Sequence, residues 1–490
     1  MTDQNRSNFI EFFLVGLGIA IVVFVGTYRL SESPRVWYDE GFLTQIAMNL
    51  AEYGKQAIQV SPGEFVSTGM VSSGYPLYYP VSMAYKLFGV GVLQGRSAMV
   101  AYMILLFLAS YIFIRLLLGR RYALWTVFLL STFPMLYGNG KSVLGEVPGL
   151  FFLVLCLISL AVLEKSSWRN LWAYGFFGIT AGLCSATKPI FILLLPAIAL
   201  AYFLYRKHIN VRWSGFAIAS SFFAMAMYWW FHMQFGAENS FGKIISLYAN
   251  PYEAVNIWGN AIHNASLFFT ETTPAFCLLM LAIWAGALIL RRKKNEKIAV
   301  AETAAFIFCI LILLAFLRAE PFYRCIFPAM IIGLIFLPYA GLYLSGRIRE
   351  RWFPQRIFSY IPYALFIALI ILNIYQLRFS SYVANYYPSR NTRDLGIYFN
   401  SVGVDKRVFL YNVPELVIFL PSHNYYQYMD PLKNAIFGKD QLAVLREGRA
   451  DIVILHDEKY VADPGEFSKY YLKARIGGYD ILEKIINNAL

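Results

Sequence analysis

Charge is what this sequence has least of: 14% of its 490 residues are Asp, Glu, Lys or Arg, while 58% are hydrophobic. That balance excludes a soluble globular protein and indicates a polytopic membrane protein. Cysteine is scarce as well. The five cysteines, Cys156, Cys184, Cys277, Cys309 and Cys325, sit in or beside apolar runs and none forms a CxxC, so neither a disulfide framework nor a zinc site is indicated. Histidine is equally sparse. His232 and His263, with Glu238 and Glu271, have a spacing that fits no zinc signature. No internal repeat, low-complexity tract or heptad series is present. The missing inverted repeat weighs against a secondary transporter. The first apolar run lacks a strongly basic front and a clear small-residue cleavage site, and it reads as a retained helix.

Long apolar runs are what the chain does have. They fall at 9–30, 97–118, 122–137, 147–163, 171–187, 189–205, 213–231, 274–290, 298–317, 325–344 and 357–377, about eleven crossings of the ~20 residues that a bilayer requires. Lys188-Pro189 divides a stretch too long for one crossing. The net charge of +13 would suit nucleic acid, but the basic residues gather in short loops, the pattern of membrane topology; no nucleic-acid partner is expected. Alternate loops are rich in Lys and Arg: 120–121, 165–169, 206–212, 291–297 and 347–356. The loops between them carry only Lys141, Lys188, Lys243, Arg318 and Arg324. The positive-inside rule then places the N-terminus in the cytoplasm and the C-terminus outside, and the expected location is the cytoplasmic (inner) membrane.

Two long loops, 31–96 and 232–273, fall on the outer side. The first is rich in Gly, Pro and Tyr and is expected to fold against the membrane, with amphipathic helices at 41–53 and 81–89. Residues 1–379 form the membrane domain. Residues 380–490 contain two strand-like runs, Arg407 to Tyr411 and Asp451 to Leu455, and read as a small extracytoplasmic α/β domain.

The stretch Trp37-Tyr38-Asp39-Glu40 leaves the first span and presents two carboxylates flanked by aromatics at the membrane interface. Such a group can take a proton from an acceptor beside a lipid-borne donor, or simply cap the next helix. Neighbours on a helix point about 100° apart, so only one of the pair is expected in a site. Glu146 begins a span and is either a helix-terminal acid or a ligand for an acceptor or a metal. Lys188 and Arg324 stand at the outer ends of spans, where a cation either snorkels or meets an anion, and an Arg fork suits phosphate. Arg96 is a third cation or an interface anchor. Asn264-Ala265-Ser266 is a sequon on the outer side.

Four motifs, in order, resemble those of the GT-C fold glycosyltransferases, in the lipid-phosphate-sugar-dependent branch related to protein O-mannosyltransferases and aminoarabinose transferases. They are Tyr38-Asp39-Glu40, followed by Ala47-Met48-Asn49-Leu50 and Gly54; Tyr75-Pro76-Leu77-Tyr78-Tyr79 with Gly95-Arg96-Ser97; Gly140 to Gly149 around Glu146; and Gly182 to Pro196 around Lys188, with Phe322 to Pro328 further on. The likeness covers about residues 9–345. The family's Lys before the proline is absent, Gly74-Tyr75 standing there, and its Arg-Tyr appears as Arg324-Cys325 with Tyr323 on the other side.

The resemblance implies an all-α GT-C-like bundle. It would move a sugar from a polyprenyl-(di)phosphate carrier to a lipid, glycan or protein acceptor on the extracytoplasmic side. Asp39 would be the general base of an inverting displacement, with Glu40 beside it; Lys188, Arg324 and Arg96 would hold the donor phosphate; Glu146 would meet the acceptor or a divalent metal; and Tyr38, Tyr75, Tyr78 and Tyr323 would line the site. Two other classes remain: a transporter or lipid flippase without bond chemistry, and an assembly partner that works through its C-terminal domain. Transporters place ionisable groups near the midplane. Here they gather at span ends on one side.

Overall fold

The computed structural model describes residues 3–69, 71, 73–206, 209–235, 257–318, 321–352, 360–380, 390–429, 442–456 and 465–485. Its bundle is built from α1 (Asp3–Thr27), α4 (Val92–Leu117), α5 (Arg120–Thr132), α6 (Pro134–Gly140), α7 (Glu146–Lys165), α8 (Leu171–Thr187), α9 (Leu194–Tyr205), α10 (Trp213–Phe235), α11 (Ile257–Thr270), α12 (Thr272–Lys293), α13 (Val300–Arg318), α14 (Phe327–Trp352) and α15 (Ile361–Tyr375). Among the described residues seven helices are long and apolar enough to cross a membrane: α1, α4, α7, α12, α13, α14 and α15. The chain is a multi-pass membrane protein. The four other expected spans are helical but differ in form. The run 122–137 breaks at Phe133-Pro134, where a proline cannot continue the donor ladder. The run 189–205 opens with a 3-10 turn, Pro189–Leu193. The helix α8 has 17 residues, and α10 carries Trp, Tyr and Ser where the others carry aliphatics.

The first long loop is a folded layer. The helix α2 (Tyr38–Tyr53) starts with two acids in its first turn and stops at Gly54, whose φ of 67° is left-handed. A hairpin follows, β1 (Ala57–Ser61) and β2 (Glu64–Ser67), turning at Gly63 with φ 76°. Then comes α3 (Tyr75–Phe88), with Met83, Leu87 and Phe88 exposed and Leu77, Tyr78 and Val81 buried, as an amphipathic helix requires. Helix α2 departs from the amphipathic expectation. Every residue from Glu40 to Leu50 is buried, because a second layer covers its outward face.

That layer is the C-terminal α/β unit. It contains α16 (Arg390–Ser401), β3 (Val408–Tyr411), β4 (Tyr425–Tyr428), α17 (Ala443–Arg446), β5 (Ile452–His456), β6 (Tyr470–Ile476) and β7 (Tyr479–Lys484). The sheet order is β4-β3-β5-β7-β6, with β3 parallel to β4 and β5, and β7 antiparallel to β5 and β6. The two runs read from the sequence as strands are β3 and β5. Alternation divides the sheet's residues. Leu410, Ile454, Tyr479 and Ile481 join the core that runs on into the bundle, while Phe409, Val453, Leu455 and Leu482 pack with Leu445 and Phe467 on the other face.

Candidate active site

Tyr38, Asp39 and Glu40 open α2, and the helical turn sends them in three directions. Each is fixed to a different part of the molecule. The Tyr38 hydroxyl bonds the Asn412 side-chain oxygen at 3.0 Å, in the C-terminal unit. Asp39 forms an ion pair with Arg324, in the short turn before α14. Glu40 turns inward. It accepts from Arg96 Nε at 2.8 Å, from a second Arg96 nitrogen at 2.7 Å and from Val143 N at 3.0 Å. Arg96 also donates to the Leu30 carbonyl at 2.8 Å. This one knot therefore ties together the end of α1, the start of α2, helix α4 and the loop that leads to Glu146.

The Glu40 and Arg96 side chains are 1% and 0% exposed. That corrects two expectations. Arg96 is neither a donor-phosphate cation nor an interface anchor, and Glu40 is not a second acid open to substrate, because both turn their bonding capacity on each other. Lys141 lies beside the pair, also fully buried, and donates to the Tyr28 carbonyl at 2.7 Å. Burial, with Arg96 alongside, pushes its ammonium down to about 8.

Asp39, Arg324, Glu146 and Lys188 do come together. Glu146 and Lys188 form an ion pair, and Glu146 lies within electrostatic reach of Arg324 as well. The Asp39, Arg324 and Lys188 side chains keep 37%, 18% and 16% of their surface, so this second group opens to the exterior, unlike the first. Glu146 is 2% exposed, and its second carboxylate oxygen is buried without a partner among the described residues, as is the Ser73 hydroxyl. Ser73 Oγ would lie 3.0 Å from a Cβ on Gly145, which places it next to Glu146. The Arg324 guanidinium also stacks on Trp37 at 5.0 Å and Phe322 at 5.2 Å, and the attraction of the rings for the cation helps hold it there.

The strands of the site are held by close backbone approach. Gly74 N donates to the Thr187 carbonyl at 3.0 Å, and a Cβ on Gly74 would stand 2.1 Å from the Ala186 carbonyl. The first loop therefore sits directly on the bend that presents Lys188. The Tyr75 hydroxyl donates to the Ala226 carbonyl at 3.3 Å, and burial pushes its phenol up to about 12. Tyr75, on α3, thus donates to the backbone of α10. Tyr78 is wholly buried beneath the site. Tyr323 flanks Arg324, and burial, then Glu271, raise its phenol.

His232 stacks on Tyr228, and His263 is exposed on α11. Glu238 and Lys243 lie outside the described residues, as does half of the loop 232–273. The sequon asparagine, Asn264, is fully buried and donates to the Phe316 carbonyl at 2.8 Å, so it is closed to modification in this fold. Among the described residues no three of His, Cys, Asp and Glu are grouped to hold a metal. Sequence reasoning counted Lys141 only as a loop charge. Its signal was a lone lysine between Gly140 and Ser142, in the short stretch between two apolar runs.

No family model matches this chain, and no curated protein matches it in sequence. Solved structures do match in fold. The apo form of ArnT from Cupriavidus metallidurans superposes with a TM-score of 0.64 at 14% identity, over 98% of this chain and 98% of that one. ArnT bound to undecaprenyl phosphate gives a TM-score of 0.60 at 15% identity, over 96% and 98%. The Archaeoglobus fulgidus oligosaccharyltransferase AglB, in complex with an inhibitory peptide and a dolichol-phosphate, gives 0.55 at 12% identity, over 98% of this chain and 75% of that one. At these identities the likeness is one of fold, and the fold is the one implied by the motif order.

Proposed function

We propose that this protein is an integral-membrane glycosyltransferase that moves a sugar from a polyprenyl-(di)phosphate carrier to an acceptor on the extracytoplasmic side. The observation that carries the reading is the open group of two acids and two cations, Asp39 with Arg324 and Glu146 with Lys188, beside a buried group that only supports it. The fold is shared with a protein crystallised with undecaprenyl phosphate and another with a dolichol-phosphate, which supports a carrier of that class.

Arg324 and Lys188 are the phosphate ligands, the first through its fork and the second as a point charge. Asp39 is the base. In the unliganded protein Arg324 is engaged by Asp39. A donor phosphate competes for the same guanidinium and so releases the carboxylate next to the acceptor. Asp39 then takes the proton of the acceptor hydroxyl or amine. The acceptor's electron pair forms the new bond at the anomeric carbon, the carbon–oxygen bond to phosphate breaks, and the carrier phosphate departs with that pair. Attack opposite the leaving group inverts the anomeric centre. General-base assistance of this kind contributes about 10²–10⁴-fold.

Glu146 meets the acceptor through its unpartnered oxygen. A divalent metal does not fit the described residues, since one Glu146 oxygen already holds Lys188 and Asp39 holds Arg324, leaving no set of three ligands. The decisive experiment is transfer from a polyprenyl-phosphate sugar by purified Asp39→Asn protein; a wild-type rate would sink the assignment of the base.

A further inference from the structure

The C-terminal unit touches α2 on the face that carries Tyr38, Gly41, Gln45 and Glu52. Tyr38 reaches Asn412. The Gln45 amide donates to the Tyr425 hydroxyl at 2.7 Å and Glu52 meets His423 at 2.5 Å. Between these contacts there is no room for a side chain. A Cβ on Gly41 would stand 2.3 Å from both the Cα and the N of Glu415 and 2.6 Å from the Pro414 carbonyl carbon. The backbone of the 3-10 turn Pro414–Phe419 therefore lies directly on α2, two residues after Asp39.

That turn is held in turn by its own Glu415, which is 3% exposed. The Tyr479 hydroxyl, from β7, donates to Glu415 Oε1 at 2.8 Å, and His456 Nε2, from β5, stands 3.6 Å from the same oxygen. Arg35, four residues before Asp39, stacks over the Tyr479 ring at 5.0 Å and donates to the Gly477 carbonyl at 3.2 Å. The knot around Glu415 thus grips the chain on both sides of the proposed base.

We propose that Glu415 is a positioning residue for Asp39: bonded to Tyr479, with His456 alongside, it fixes the turn that lies against Gly41 and so holds the first turn of α2 where Asp39 meets Arg324. The inference rests on the reading of Arg324 as the donor-phosphate ligand. The C-terminal unit is then the wall that sets the geometry of the reaction, and loosening the knot frees Arg324 from Asp39.

The test uses the full chain in detergent with undecaprenyl phosphate as probe, in wild type, Asp39→Asn, Tyr479→Phe and the double variant. Tyr479→Phe is expected to raise affinity by roughly threefold or more in the wild-type background and to change nothing in the Asp39→Asn background, since coupled sites are non-additive. Hydrogen exchange of the α2 amides from Gly41 to Gln45 is expected to quicken in Tyr479→Phe. The same affinity change in both backgrounds, or none in either, overturns the proposal. Arg324→Ala separates the two ideas. If it leaves probe affinity unchanged, the donor-phosphate reading fails, and unaltered exchange of α2 in Tyr479→Phe then overturns the positioning role by itself. Should Tyr479→Phe not elute as the wild type does, Glu415→Gln, of the same shape, is read on the same two measurements.

Discussion

Asp39 and Arg324 are 285 residues apart in the chain and form an ion pair at the open end of the bundle. The pair joins the first helix after the first span to the turn that begins α14. Neither residue is buried deeply, and on the proposed reading an anion that binds Arg324 leaves Asp39 unengaged.

Asp39→Asn is expected to lower sugar transfer by about 10²–10⁴-fold. Undecaprenyl phosphate should bind at least as tightly as before, because a competing carboxylate is gone. Transfer of a labelled sugar and binding of the lipid, measured on one preparation, check both halves. Weaker lipid binding would mean that Asp39 supports the site in some other way.

Arg324→Lys keeps the charge and loses the fork. Bonds to charged groups are worth about 1.5–3 kcal/mol, so undecaprenyl phosphate affinity should fall by roughly tenfold or more. Equal affinity in Arg324→Lys and wild type would show that a point charge suffices there.

The Glu40–Arg96 pair is enclosed at 1% and 0% exposure. Removing one partner strands a buried charge at a cost of about 3–5 kcal/mol, whereas removing both costs less. Glu40→Leu and Arg96→Met should each lower the thermal midpoint in detergent sharply, and the double variant should recover part of the loss. Additive losses would argue against a direct pair.

Gly41→Ala should run against its usual sign. Alanine in a helix interior normally stabilises by about 0.5–1 kcal/mol over glycine. Here its Cβ meets the backbone of Glu415 at 2.3 Å, so midpoint and transfer rate should both drop. A higher midpoint with an unchanged rate would mean the turn Pro414–Phe419 does not rest on α2.

Lys141 should leave a mark on stability in alkali. Its folded value is pushed down to about 8 by burial, below the ~10.4 of an unfolded lysine. Between those values the unfolded chain binds the extra proton, so this residue makes stability rise with pH across that window. Thermal midpoints from pH 7.5 to about 10, for wild type and Lys141→Met, test it, and the variant should lack that share of the rise. Parallel curves would place the ammonium in contact with water.

Much of this was legible beforehand, for local reasons. Apolar runs of bilayer length mark helices wherever they fall, and Gly54 and Pro134 stop or break them by backbone geometry alone. The strands β3 and β5 could be read from their own composition. The resemblance in motif order pointed to Asp39, Glu146, Lys188 and Arg324, and these four do converge. That Asp39 and Glu40 point different ways follows from the helical turn, but the Arg96 that meets Glu40 could not be read, because position along a helix says which way a side chain points and not what waits there. The covered face of α2 was missed for the same reason: nothing in Gly41 or Gln45 announces a partner at Glu415 or Tyr425.

The amino-acid order by itself determined the apolar helices, the sparse charges at their ends and the acid that opens α2, because hydrophobicity and helical period act over a few neighbouring residues. Which carboxylate faces the open site, which is sealed against Arg96, and how the C-terminal unit braces α2 were decided only by tertiary packing. Those contacts join residues hundreds of positions apart, and a partner at that distance exists only once the helices have taken their places.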